Sequence, residues 1–121
     1  MHFRIEHDGD IHFIHPVGNF DGSRDCEQLQ TLITEIAESG CRKVVFSFSL
    51  THWINSCGVG KLIAAKFAID KIDGRFVICD LDDRNMTVIN TLRLDQIFEI
   101  HDSLNDAVEA LKENSLSGVR P

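Results

Sequence analysis

Apolar and polar positions alternate from Phe3 to His7 and again from Ile11 to Val17, the period of strands with one buried face. Asp8-Gly9-Asp10 between them has the residues of a tight hairpin turn. Pro16 has no N–H to give to a ladder, so the second strand is predicted to be an edge or to stop there. Gly18-Asn19-Phe20-Asp21-Gly22 then breaks the pattern. Cys26, Leu29, Leu32, Ile33 and Ile36 recur at helical spacing, and Ser39-Gly40 closes that helix with a C-terminal glycine.

Lys43 to Leu50 is the strongest strand signal, rich in Val and Phe and apolar on both parities at its start, as a central strand covered by helices should be. Thr51 to Asn55 is predicted as a short loop leading to a helix from Ser56 to Ile72, with Val59, Leu62, Ile63 and Phe67 as its stripe. Arg75 to Leu81 is a further strand, Asp82 to Leu94 a helix containing Met86, Ile89 and Leu92, and Ile97 to Ile100 a short strand. Asp102-Ser103 caps the last helix, with Leu104, Ala107, Val108 and Leu111 on one face. The resulting order, β-β-α-β-α-β-α-β-α, predicts one α/β domain over residues 1–114: a mixed five-stranded sheet with right-handed crossovers and about four helices. Residues 115–121, where the apolar pattern stops, are expected to form a flexible C-terminal tail.

Composition narrows the function. The 121 residues are 43% apolar and 26% charged, enough for one domain with its own core. Twelve Lys and Arg against nineteen Asp and Glu leave a formal charge of −7, which argues against nonspecific binding to nucleic acid or to an anionic membrane. The start of the chain alternates and carries an acid early, unlike a signal peptide, and no apolar run approaches the roughly 20 residues of a membrane span. Cys26, Cys41, Cys57 and Cys79 are widely spaced and read as reduced, mostly buried thiols of a cytoplasmic protein. His2, His7, His12, His15, His52 and His101 show no metal-ligand spacing, and no metal or cofactor is expected.

Chemistry concentrates at Asn55-Ser56-Cys57-Gly58-Val59-Gly60-Lys61-Leu62, between a strand and a helix, where an open α/β sheet places its ligand or partner. A nucleotide-binding loop is disfavoured: Asn55 stands where the first glycine should be, and Leu62 where a hydroxyl should hold magnesium. Cys57 near a helix start, with His52 nearby in sequence, is a candidate nucleophile, but no third group stands at a recognisable spacing. Ser56 is either a plain helix-start serine or a phosphoacceptor. Asn55 would cap the helix, and a phosphate on Ser56 would gain from the free N–H groups and the helix dipole while changing the charge of the surface. Trp53, just before this segment, is either a docking anchor or a core residue. Lys66 falls inside the apolar stripe and is expected to snorkel from its edge, or else to touch a partner; Asp80, Asp82 and Asp83 read as a solvated loop and helix start.

Over about Phe3 to Leu111 the chain resembles the STAS domain (sulfate transporter and anti-sigma-factor antagonist), and within it the stand-alone bacterial anti-sigma-factor antagonists. Gly18-Asn19-Phe20-Asp21 is similar to the family's Gly-Glu-Leu-Asp turn, and Val44-Val45-Phe46-Ser47-Phe48-Ser49 to its central strand. Ile54-Asn55-Ser56-Cys57-Gly58-Val59-Gly60 resembles its hallmark, an apolar residue followed by Asp-Ser-Ser/Thr-Gly-Leu-Gly. Leu94-Asp95-Gln96-Ile97-Phe98 and the closing Ala107 and Leu111 fit as well.

The resemblance implies a switch protein rather than an enzyme, with no catalytic residue. A GHKL-type serine kinase acting as an anti-sigma factor binds the unphosphorylated domain, phosphorylates the hallmark serine and lets go, and a serine phosphatase resets the switch. By position Ser56 is then the phosphoacceptor. Asn19, Phe20 and Asp21 lie in the turn that faces the kinase, and Asn55, Cys57, Gly58, Val59 and Gly60 form the docking surface with Trp53 beside it. Weak homodimerisation is a further expectation. Three departures stand out: Asn55 for the usual Asp, Ser47 for a frequent Asp, and Cys57 for the second Ser or Thr. They keep open an alternative, a non-phosphorylated STAS scaffold in a stress-signalling or lipid-transport assembly.

Overall fold

The computed structural model describes residues 2–21 and 28–117. Strands β1 (His2–Asp8) and β2 (Ile11–Phe20) form an antiparallel hairpin around Gly9, whose φ of 62° is a conformation glycine adopts without strain. Then come α1 (Gln28–Glu38), β3 (Lys43–Ser47), β4 (Thr51–Ile54), α2 (Ser56–Asp70), β5 (Arg75–Cys79), α3 (Asp83–Thr91), β6 (Glu99–His101) and α4 (Leu104–Ser117). Sheet order is β1-β2-β3-β5-β6, and β4 lies beside β2 past the end of β3; every pairing except the first is parallel.

The central strands are buried on both faces, which explains why they read as apolar runs. On one face Ile14, Val44, Phe46, Phe76 and Ile78 join the side chains of α1, α2 and α3. On the other, Phe13, Val45, Val77 and Cys79 pack against Ala107 and Leu111 of α4. Phe20, Phe46, Phe48, Phe76 and Phe98 run through the larger core as successive ring contacts, with centroids 5.4–6.2 Å apart.

Four expectations are corrected. Thr51–Ile54 is a strand, making a sixth, because β2 does not break at Gly18 but runs on to Phe20. Gly18 pairs with Thr51 and Phe20 with Ile54 across a register shift, and Gly18, at φ 106°, takes up the irregularity. Pro16 is not at an edge, since β2 has neighbours on both sides. Its carbonyl accepts from Thr51 Oγ1 at 2.9 Å. N–H and C=O of one strand residue point the same way, so the missing N–H faces the interval between Ile14, the last residue paired with β3, and Gly18, the first paired with β4. Helix α3 ends at Thr91, before Leu94, because Arg93 sits at a left-handed φ of 58° and starts a 3₁₀ turn over Leu94–Gln96. The last strand accordingly begins at Glu99 and not at Ile97.

Ser103 caps α4 through its hydroxyl, which accepts from Asp106 N–H at 3.1 Å. The helix runs to Ser117, past the point where the sequence pattern stops; 118–121 of the expected tail lie outside the described residues, as does Cys26 of the first helical stripe.

Candidate phosphoacceptor and docking site

Strand β4 delivers the chain to α2 through Asn55, and three hydrogen bonds fix that joint. Asn55 is extended (φ −118°, ψ 179°), its Oδ1 accepts from Gly58 N–H at 2.9 Å, and its carbonyl accepts from Val59 N–H at 2.9 Å. Its own N–H donates to the Phe20 carbonyl at 3.2 Å, tying the start of α2 to the end of β2. Gly58 faces the same carbonyl so closely that a Cβ there would lie 2.6 Å from Phe20 Cδ1 and nearer still to the oxygen. Glycine is required here by space.

Ser56 is the first residue of α2 and is exposed, as is Cys57. The first N–H groups of a helix have no intrahelical acceptor; Asn55 takes that of Gly58, and the first turn carries no acid. An anion on the Ser56 oxygen would therefore meet the positive end of the helix dipole and no carboxylate from that turn. Beside it lies an open cavity of about 310 Å³ bounded by Ile54, Ser56, Thr87, Val88 and Leu92, between the start of α2 and the end of α3.

Asn85 of α3 is a part of the site that sequence reading missed. It is 1% exposed, its Oδ1 accepts from Ile54 N–H at 3.1 Å, and its Nδ2 donates to the His52 carbonyl at 3.5 Å. It holds β4, and through it Asn55 and Ser56, in register with α3. The one signal was an Asn four residues before Ile89, on the buried face of its helix. Asp82 caps that helix by accepting from Asn85 N–H at 2.8 Å.

The residues predicted to face a partner divide by burial. Trp53, Ser56, Cys57 and Gly60 are exposed, and Asn19, Asp21 and Asn55 half-buried. Phe20 is fully buried, Val59 is 4% exposed and Gly58 is buried. Their side of the joint is core, so they support the surface from beneath and do not form it. Cys57 likewise departs from the buried-thiol expectation, whereas Cys41 and Cys79 are buried. Lys66 pairs with Asp70 across one helical turn at 2.7 Å. At the end of the central strand Ser47 Oγ donates to Asp80 Oδ2 at 2.7 Å, and Asp80 holds a left-handed φ of 61°. Burial, then the Asp80 carboxylate beside it, pushes the Cys79 thiol up to about 12. Cys79 thus stays protonated.

The model of one family, the STAS domain, matches residues 2–107. The chain belongs to the STAS domain family. Solved structures agree on the fold. TM1081 of Thermotoga maritima superposes with a TM-score of 0.83 at 18% identity, over 91% of this chain and 94% of that one. The anti-sigma factor antagonist SpoIIAA in its unphosphorylated form gives 0.70 at 18% identity, over 91% and 97% of the two chains. A serine-to-glutamate variant of RsbS from Moorella thermoacetica gives 0.79 at 16% identity, over 93% and 97%. Among the described residues of this STAS domain no helix is long and apolar enough to cross a membrane, and no three His, Cys, Asp or Glu side chains are grouped to hold a metal ion.

Proposed function

We propose that this STAS domain is a cytoplasmic anti-sigma-factor antagonist, bound at the Ser56 end by a serine-kinase anti-sigma factor and released when that kinase phosphorylates Ser56. A serine phosphatase then restores the binding form. The observation that carries this reading is Ser56 itself: an exposed hydroxyl at the first position of a helix whose start is fixed by Asn55, Phe20 and Asn85. A rigid joint lets a phosphate of about −1.5 to −2 charge alter the docking surface without unfolding its support. SpoIIAA of Bacillus, which shares the fold, has been solved in both unphosphorylated and phosphorylated forms, in keeping with such a cycle. In this reading the domain is a switch and performs no catalysis; Trp53, Cys57 and Gly60 are the residues exposed for docking, flanked by Asn19 and Asp21.

Asn55 favours a second reading, because it keeps the cap yet removes the carboxylate that family members carry beside the serine. The domain would then be a constitutive STAS scaffold. Tandem mass spectrometry of the protein from growing and from stressed cells separates the two: phosphate on Ser56 is the expected result, and its absence in both states would transfer the assignment to the scaffold.

A further inference from the structure

A cavity of about 460 Å³ opens at the end of the sheet where β3 begins, away from Ser56. Gly9 and Asp10 of the β1–β2 turn, His12 of β2, and Gly40, Cys41 and Lys43 after α1 line it. Both glycines have a positive φ, and a Cβ on either would touch nothing within 4 Å, so their backbone conformation and not lack of space calls for glycine. In the cavity lining, the buried Cys41 Sγ lies 2.9 Å from His12 Nδ1 and within donating distance of the Lys43 carbonyl at 3.2 Å and the Asp10 carbonyl at 3.5 Å. A nucleophile in hydrogen-bond contact with an imidazole is the pairing that activates a thiol. Burial first, and His7 beside it with ring centroids 5.7 Å apart, hold the His12 pKa below its usual value, so the ring is neutral and presents an acceptor nitrogen to the thiol.

We propose that Cys41, with His12 as its base, is a site of reversible mixed-disulfide formation with a small disulfide that enters this cavity. His12 Nδ1 takes the Cys41 proton as the sulfur attacks one sulfur of the disulfide RSSR. The RS–SR bond breaks, a Cys41–SR bond forms, and the leaving RS⁻ takes the proton from His12 and departs as RSH. Cys41 is oxidised and the departing thiol reduced; excess RSH reverses the step. Arg42 is exposed at the cavity wall, while the Lys43 ammonium is already paired with Asp10 at 3.0 Å. The walls thus offer one guanidinium to a carboxylate on the incoming molecule, which fits disulfides of amino-acid thiols of the glutathione class. The other described thiols differ: Cys79, buried like Cys41, is held protonated beside Asp80 and does not line this cavity, and Cys57 is exposed but stands outside it.

The test uses the full chain and oxidised glutathione as the probe, with peptide mapping of each cysteine over time. Native Cys41 should form the mixed disulfide about tenfold or more faster than Cys41 in the urea-unfolded chain, and His12→Gln should remove that advantage while leaving the Cys57 rate unchanged. Reaction of Cys79 in the variant would report unfolding, and the comparison of native with unfolded wild type then decides alone. Native Cys41 reacting no faster than in the unfolded chain, or adducts confined to Cys57, would overturn the assignment.

Discussion

Gly58 and the Phe20 carbonyl meet with no room for a side chain between them, and the same carbonyl accepts from Asn55 N–H. One oxygen thus sets how closely the start of α2 approaches the end of β2. Gly58→Ala should help the helix by intrinsic propensity, by about 1 kcal/mol, yet it must push apart a joint whose Phe20 side is fully buried. We expect a net loss of about 1–3 kcal/mol in urea unfolding, the range for overpacked interiors. Gly60→Ala is the control. A Cβ there meets nothing within 4 Å, and the same measurement should give no loss.

Asn85 bears on the same site from α3. Asn85→Ala leaves the buried N–H of Ile54 without its acceptor and frees the His52 carbonyl, so stability should fall by about 1–3 kcal/mol. Amide hydrogen exchange adds a sharper readout: protection of Ile54 should drop in the variant by more than that of Val45, deep in the central sheet. Equal changes at both amides would mean that Asn85 serves only global stability.

These two residues also mark how far the sequence was legible. The start of α2 was readable at Ser56 because a capping Asn, a glycine and an apolar stripe all lie within a few residues of each other. The central strands were readable because burial on both faces leaves an unbroken apolar run. Strand β4 was not. Thr-His-Trp-Ile has no local strand period, and its partner is the Gly18–Phe20 stretch of β2, some thirty residues earlier, which itself reads as a turn. For the same reason Phe20 read as a surface residue: only the β2–β4 pairing carries it inward to meet Phe46 and Phe48. The left-handed Arg93 ends α3 without a glycine to announce it.

Acid should loosen the far edge of the sheet. Burial raises the Glu99 carboxyl, but hydrogen bonds from Arg75 and His101 more than offset that and hold its pKa below the ordinary 4.5. Arg75 engages both Glu99 oxygens and also donates to the Ala110 carbonyl of α4 at 3.0 Å, so β5, β6 and α4 share the group. A carboxyl with a depressed folded-state pKa adds stability at pH above its unfolded value and loses it as pH falls through the folded value. Urea unfolding of wild type and Glu99→Gln should therefore differ at pH well above 4.5, and the gap should close progressively as pH falls below it. A gap that stays constant down to pH 3 would show that the ion pair does not contribute through its charge.

The switch itself is tested by paired substitutions at Ser56 and Asn55. Both Ser56→Asp and Ser56→Ala should fold, since the hydroxyl is exposed and the cap is supplied by Asn55. If Ser56 is the switch, Ser56→Ala should bind a GHKL-type serine-kinase anti-sigma factor like wild type by calorimetry. Ser56→Asp should bind roughly tenfold or more weakly, because a fixed negative charge stands at the proposed docking surface. Equal affinities would sink phosphorylation as the release step. Asn55→Ala separates support from recognition: loss of the Gly58 N–H acceptor should destabilise the chain by about 1 kcal/mol. Asn55→Asp keeps an acceptor at the cap, gains slightly from the helix dipole and restores the carboxylate beside the serine. If that carboxylate serves kinase recognition, Asn55→Asp should raise the rate of Ser56 phosphorylation with unchanged binding affinity; an unchanged rate would leave Asn55 as a cap alone.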